Sequence, residues 1–139
     1  ESLFGNILGI VDVFAFFDRT VYSLKNITSY TINLISIWQN EDFLIVCHFR
    51  EPDEIGHIYG VNSFEYRNQL IKNDMQLGRL LDTLSGETII IVLGDHGFGC
   101  PNQYKHSCSP NTFIVCNVSI PDNLFEVDIT PLILNLLSQ

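Results

Sequence analysis

The sequence predicts an α/β layered domain, and two observations predict it. Three short runs are continuously apolar and rich in β-branched residues: "DFLIVCHF" (Asp42–Phe49), "TIIIVLG" (Thr88–Gly94) and "TFIVCN" (Thr112–Asn117). Runs of this kind mark strands covered on both faces, as in a mostly parallel sheet. A long segment of helical periodicity separates the first two, so strand, helix and strand read as a right-handed βαβ crossover. The 139 residues suffice for one domain with a real core, and 1–139 is read as a single α/β domain.

The elements come in this order. "SYTINLISIWQ" reads as a helix ahead of the first strand. "REPDEIGHIYG" (Arg50–Gly60) reads as a polar loop beyond that strand's end. In "NSFEYRNQLIKNDMQLGRLLDTLSG", Leu70, Ile71, Leu77, Leu80, Leu81 and Leu84 recur at helical spacing. Asn62 with Glu65 three residues on suits its N-terminal cap, and Ser85-Gly86 suits its stop. "DITPLILNLL" closes the chain as a further helix, with Pro131 in its first turn.

Composition excludes several classes. Hydrophobic content of 46% and charged content of 17% are those of a globular domain, not a disordered one. A net charge of −9 with only seven Lys and Arg argues against nucleic acid as a partner. An acidic domain still binds a phosphorylated substrate where a metal supplies the positive charge. No run reaches the roughly 18 to 20 apolar residues that span a bilayer. The longest attempt, "LFGNILGIVDVFAFF", is interrupted by Asn6 and Asp12. The start, "ESLFGN", lacks an initiator Met and a basic leader, and reads as a fragment or a processed piece. Cys47 and Cys116 lie in apolar runs and read as packed thiols. Cys100 and Cys108 lie in a turn-rich loop, where pairing stays open. Two sequons, at Asn26 and Asn117, point toward a lumenal or secreted glycoprotein.

The chemistry gathers at the strand ends. In open α/β sheets, ligands collect beyond the carboxyl ends of the strands. The first strand leads to His48, Asp53 and His57; the second to "GDHGFG" with Asp95 and His96; His106 precedes the third. A loop Asp alone is usually a turn former, and a lone His is usually surface or packed. The constellation changes that reading, because Asp and His together suit zinc and similar divalent ions. Gly56, Gly94, Gly97 and Gly99 flank them, where backbone turns sharply or approaches a ligand. His48 reads as structural.

"PDEIGHIYG", "GDHGFG", His106 and "VDITPLILNLL" occur in the order used by the alkaline phosphatase superfamily, which this chain resembles. The likeness is to the C-terminal part of such a catalytic domain, and is nearest to the ethanolamine phosphate transferases of glycosylphosphatidylinositol (GPI) anchor synthesis. Their D-x-x-G-H loop resembles "FLIVCHFREPDEIGHIYGVNS", and their next helix and GDHG match the helical segment and "GDHGFG" of this chain. The resemblance implies an α/β/α sandwich and two divalent metal ions, expected to be zinc. Asp53, His57 and His106 would hold one ion, and Asp95 and His96 part of the second. The superfamily completes that second site with a strand-end Asp and a Thr or Ser nucleophile. Asp12, Thr28 and Thr31 lie too close to "DFLIV" to be those groups, so the N-terminal half reads as missing. No catalytic nucleophile is assigned, and the chain alone is expected to be inactive. In this family phosphoethanolamine passes from a phospholipid head group to a glycolipid acceptor in the endoplasmic reticulum lumen. Membrane contact would come only through segments absent here. A nucleotide pyrophosphatase or phosphodiesterase, and a non-catalytic metal-binding remnant, are the alternatives. One departure from the family is "HSCSPN" after the third His, where glycines are usual.

Overall fold

The computed structural model describes residues 24–99, 102–106 and 113–138. Asp12, Cys100 and Cys108 lie outside the described residues. Helix α1 (Leu24–Trp38) buries Leu24, Thr28, Thr31 and Ile35, one stripe along its length. Half of that stripe is threonine. The hydroxyl of the fully buried Thr28 donates to the Leu24 carbonyl at 2.9 Å. Thr31 donates to the Ile27 carbonyl, also at 2.9 Å, and meets Cys47 Sγ at 3.5 Å. The helix's own carbonyls thus satisfy the buried hydroxyls.

Residues 42–49 are not a strand. An apolar run covered on both faces needs a hydrogen-bonding neighbour as well, and this one finds none among the described residues. Cys47 packs instead beside Thr31 of α1. The predicted βαβ crossover is therefore not seen among the described residues.

The segment expected as a loop is helix α2 (Glu51–Tyr59). Its signals are all present in the sequence. Pro52 sits in the first turn with Glu51, Asp53 and Glu54, and His57 lies in the last. Gly60 ends the helix with φ of 81°, its N–H bonded to the Gly56 carbonyl at 2.9 Å. The Leu24 N–H donates to the Glu51 carboxylate, joining the starts of α1 and α2.

Helix α3 (Phe64–Leu81) packs against both α1 and α2. Its N-cap is Ser63, not Asn62: the Ser63 hydroxyl accepts from the Tyr66 N–H at 3.1 Å. It stops short of Ser85-Gly86, where the Thr83 hydroxyl donates to the Leu80 carbonyl at 2.7 Å. Of the predicted apolar face only Leu80 is buried, and Gln69 is buried with it. Phe64, Ile71 and Met75 line an exposed stripe.

Strands β1 (Ile91–Leu93) and β2 (Ile114–Cys116) pair antiparallel, with Val92 opposite Val115. The expected mostly parallel sheet is thus not seen among the described residues. Apolar runs read alike whichever way the neighbour points, so direction is not legible in them. Asn117 extends the pair: its side chain accepts from the Ile90 N–H and donates to the Thr88 carbonyl, both at 2.8 Å. A 3-10 turn (Glu126–Asp128) leads into helix α4 (Ile129–Leu137), which buries Leu132. Asp128 closes that turn by accepting from the Phe125 N–H at 2.8 Å. The described core is Leu24, Ile35, Leu80 and Leu132, chiefly where α1 meets α3. Cys47 and Cys116 are free, half-buried thiols.

Candidate metal centre

Because α2 is a helix, Asp53 and His57 lie four residues apart on one face. His57 Nε2 stands 3.4 Å from Asp53 Oδ1. The chain leaving β1 brings His96 Nε2 to 3.6 Å from the same oxygen. Residues 102–106 bring His106 Nε2 to 2.8 Å from it. Asp53 Oδ1 is therefore the meeting point of three imidazoles from three parts of the chain. Asp53, His96 and His106 form the tight group, their ligand atoms within 4.8 Å of one another. Asp95 is mostly exposed, its Oδ1 3.8 Å from His96 Nε2. His48 is exposed and outside this cluster.

Backbone contacts hold the loop of His106 in place. The Val61 N–H donates to the Gln103 carbonyl at 3.3 Å, and the Gly99 N–H to the Lys105 carbonyl at 3.2 Å. His57 Nδ1 lies 2.7 Å from the Tyr104 carbonyl oxygen. A carbonyl only accepts, so Nδ1 carries the hydrogen. In the neutral ring Nε2 then presents a lone pair to the Asp53 carboxylate. Two acceptors facing each other repel unless a proton or a cation lies between them.

The residues fit a metal ion. Two ligands each about 2.1 Å from a tetrahedral ion lie about 3.4 Å apart, close to the two longer separations. The donor set of imidazoles and a carboxylate suits a divalent transition-metal ion, zinc being one of several. His96 Nδ1 is buried without a hydrogen-bond partner among the described residues, leaving that ring without the usual second hydrogen bond.

Sequence reasoning missed Phe98 and Tyr66. Phe98 stands edge-on to His57, His96 and His106, with ring centroids 5.2, 5.8 and 4.9 Å away. Tyr66, in the first turn of α3, lies 6.3 Å from Phe98. Burial pushes the Tyr66 phenol up, and the charge of Asp53 adds to the effect. Phe98 lies in full view within "GDHGFG", but an aromatic between glycines carries no pattern of its own. Away from this cluster, a groove of about 280 Å³ is lined by Leu24, Lys25, Glu51, Gln69, Lys72 and Gln76.

A family model described as type I phosphodiesterase / nucleotide pyrophosphatase matches residues 13–123. The chain is 32% identical over 54 residues to GPI ethanolamine phosphate transferase 3 of Saccharomyces cerevisiae, covering 39% of this chain and 5% of that one. It is 28% identical over 95 residues to ectonucleotide pyrophosphatase/phosphodiesterase family member 7 of Rattus norvegicus, covering 62% of this chain and 22% of the relative. To a 2,3-bisphosphoglycerate-independent phosphoglycerate mutase of Lawsonia intracellularis it is 29% identical over 136 residues, covering 86% and 26% respectively. The chain thus spans about a quarter or less of the length of these relatives. No solved structure matches.

Proposed function

The chain belongs to the type I phosphodiesterase / nucleotide pyrophosphatase family, within the alkaline phosphatase superfamily, and from this we propose that it supplies the metal-holding part of a phosphodiester-cleaving or phosphoryl-transferring catalytic domain. The observation that carries the proposal is the convergence of His57, His96 and His106 on one oxygen of Asp53. We assign Asp53, His57 and His106 to one ion, and His96 with Asp95 to a second beside it. His96 lies with Asp53 and His106 in one group of ligand atoms within 4.8 Å of one another, so the second ion would sit close beside the first. Bound zinc would supply Lewis-acid stabilisation of the phosphoryl oxygens in an in-line displacement. The protein's own residues hold the geometry: α2 fixes Asp53 and His57, and the Tyr104 carbonyl orients the His57 ring. We propose a layered, mostly parallel α/β/α sandwich for the complete domain.

The finer reading is transfer of phosphoethanolamine in GPI-anchor synthesis, with a phospholipid donor and a glycolipid acceptor in the endoplasmic reticulum lumen. The D-x-x-G-H spacing of Asp53 to His57 and the likeness to the yeast transferase support it. Nucleotide hydrolysis is the second reading, favoured by the longer stretch of likeness to the ectonucleotide relative. The chain lies within a small part of either relative, so the parent reading frame is the protein to assay. Release of ethanolamine phosphate from phosphatidylethanolamine supports the first reading, and cleavage of a nucleotide diester the second. An inert parent that still binds zinc indicates a non-catalytic remnant. At the level of this chain, calorimetric titration should find about one tightly held zinc ion per molecule. No uptake at micromolar zinc would refute the metal assignment.

A further inference from the structure

We propose that Phe98 is the positioning residue of the histidine cluster, and that Gly56 is glycine in order to admit its ring. The inference rests on the metal-site reading above and extends it to residues that touch no ion.

Three observations meet at Phe98. Its ring contacts all three histidines edge to face, at interplanar angles of 70°, 70° and 89°. These histidines come from three parts of the chain, and beside the Asp53 carboxylate Phe98 is the apolar side chain described against each of them. Its ring tip also lies against α2 at Gly56. A Cβ there would stand 2.7 Å from Phe98 Cζ and 3.0 Å from Cε2, well inside van der Waals contact. Gly56 is buried in the middle of the helix, where its freedom to adopt a positive φ has no use. Alanine is the better helix former at such a position, so the need for glycine comes from the ring.

The geometry has a definite consequence. Edge-to-face contact fixes a ring in direction as well as distance. His96 and His106 stack at 3.8 Å with 22° between their planes, and His57 lies tilted 4.5 Å from His106. One apolar wedge against all three limits the rotation of each imidazole about its χ angles. Nε2 of each is thereby held toward Asp53 Oδ1 before an ion arrives. Preorganising ligands in this way raises affinity without adding a ligand.

The test compares wild type with Phe98→Leu, Phe98→Ala, Gly56→Ala and the Gly56→Ala/Phe98→Leu pair, all as the full chain. Zinc affinity is read by calorimetry, and cobalt(II) is the spectroscopic probe of coordination geometry. Circular dichroism and thermal melting report folding. Phe98→Ala and Gly56→Ala should each weaken zinc binding about ten- to a hundredfold, the range for groups that orient metal ligands. Each should also alter the cobalt visible spectrum. Gly56→Ala should keep or raise helix content, which separates ring displacement from unfolding. The paired variant should bind no worse than Phe98→Leu alone, because both changes act on one contact. Folded Gly56→Ala and Phe98→Leu proteins with wild-type affinity and cobalt spectrum would overturn the positioning role while leaving the metal site standing. A wild-type chain that takes up neither zinc nor cobalt would overturn both.

Discussion

Three imidazoles share Asp53 Oδ1, so a change at Asp53 reaches every arm of the cluster at once. Asp53→Ala should abolish zinc uptake in a calorimetric titration. His57→Ala should also abolish measurable binding at micromolar zinc, because it removes a proposed ligand together with the loop contact through Tyr104. His106 is instructive beside these. The residues after it depart from the family habit of glycines, yet backbone bonds from Val61 and Gly99 bring its loop into place. Such bonds leave no trace in residue type. Cys47 gives a residue-scale prediction of a different kind. Burial pushes its thiol above the ordinary value of 9.0, the Thr31 hydroxyl opposes this, and the charge of Glu51 adds to the rise. The folded state then holds the proton longer than the unfolded state. Its contribution to stability is present below the unfolded value and is lost as pH rises through the folded one. Urea melts at about pH 8 and about pH 10 should show an alkaline loss that is smaller in Cys47→Ser.

Among the elements, α2 carries the most for function, although its sequence suggests a loop. Its five-residue D-x-x-G-H motif is helical spacing, and Pro52 with the acidic first turn is a start signal. The preceding apolar run outweighs those signals by suggesting a strand and its terminal loop. That run, residues 42–49, shows the limit of pattern reading, since a strand exists only with a partner. The existence of α3 and α4 is legible from periodicity, and the second and third apolar runs do form strands. Their pairing direction depends on what lies between them in space. At α3, the Ser63 hydroxyl bonds the Tyr66 N–H. Ser63→Ala should cost about 1 kcal/mol in a denaturant melt, and Ser63→Asp should retain most of that stability. Asn62→Ala should have little effect, because Asn62 does not form the cap.

At the scale of the whole molecule, the described apolar core is small and much apolar surface stays uncovered. Phe64, Ile71 and Met75 on α3 are 73%, 58% and 62% exposed. Such residues contribute little to monomer stability and promote association. Met75→Lys should leave the unfolding free energy within about 0.5 kcal/mol while reducing self-association in sedimentation velocity. Among the described residues, no helix is long and apolar enough to cross a membrane. The contact between Asp53 and His106 joins points 53 residues apart in the chain. An ion held by both would work as a reversible crosslink. It would deprive the unfolded ensemble of some of its freedom, as a covalent bridge does, yet release on chelation. With so small a described core, the melting temperature should climb steadily with free zinc and fall back when a chelator is added. The same oxygen that gathers the histidines would then serve as a clasp for the fold.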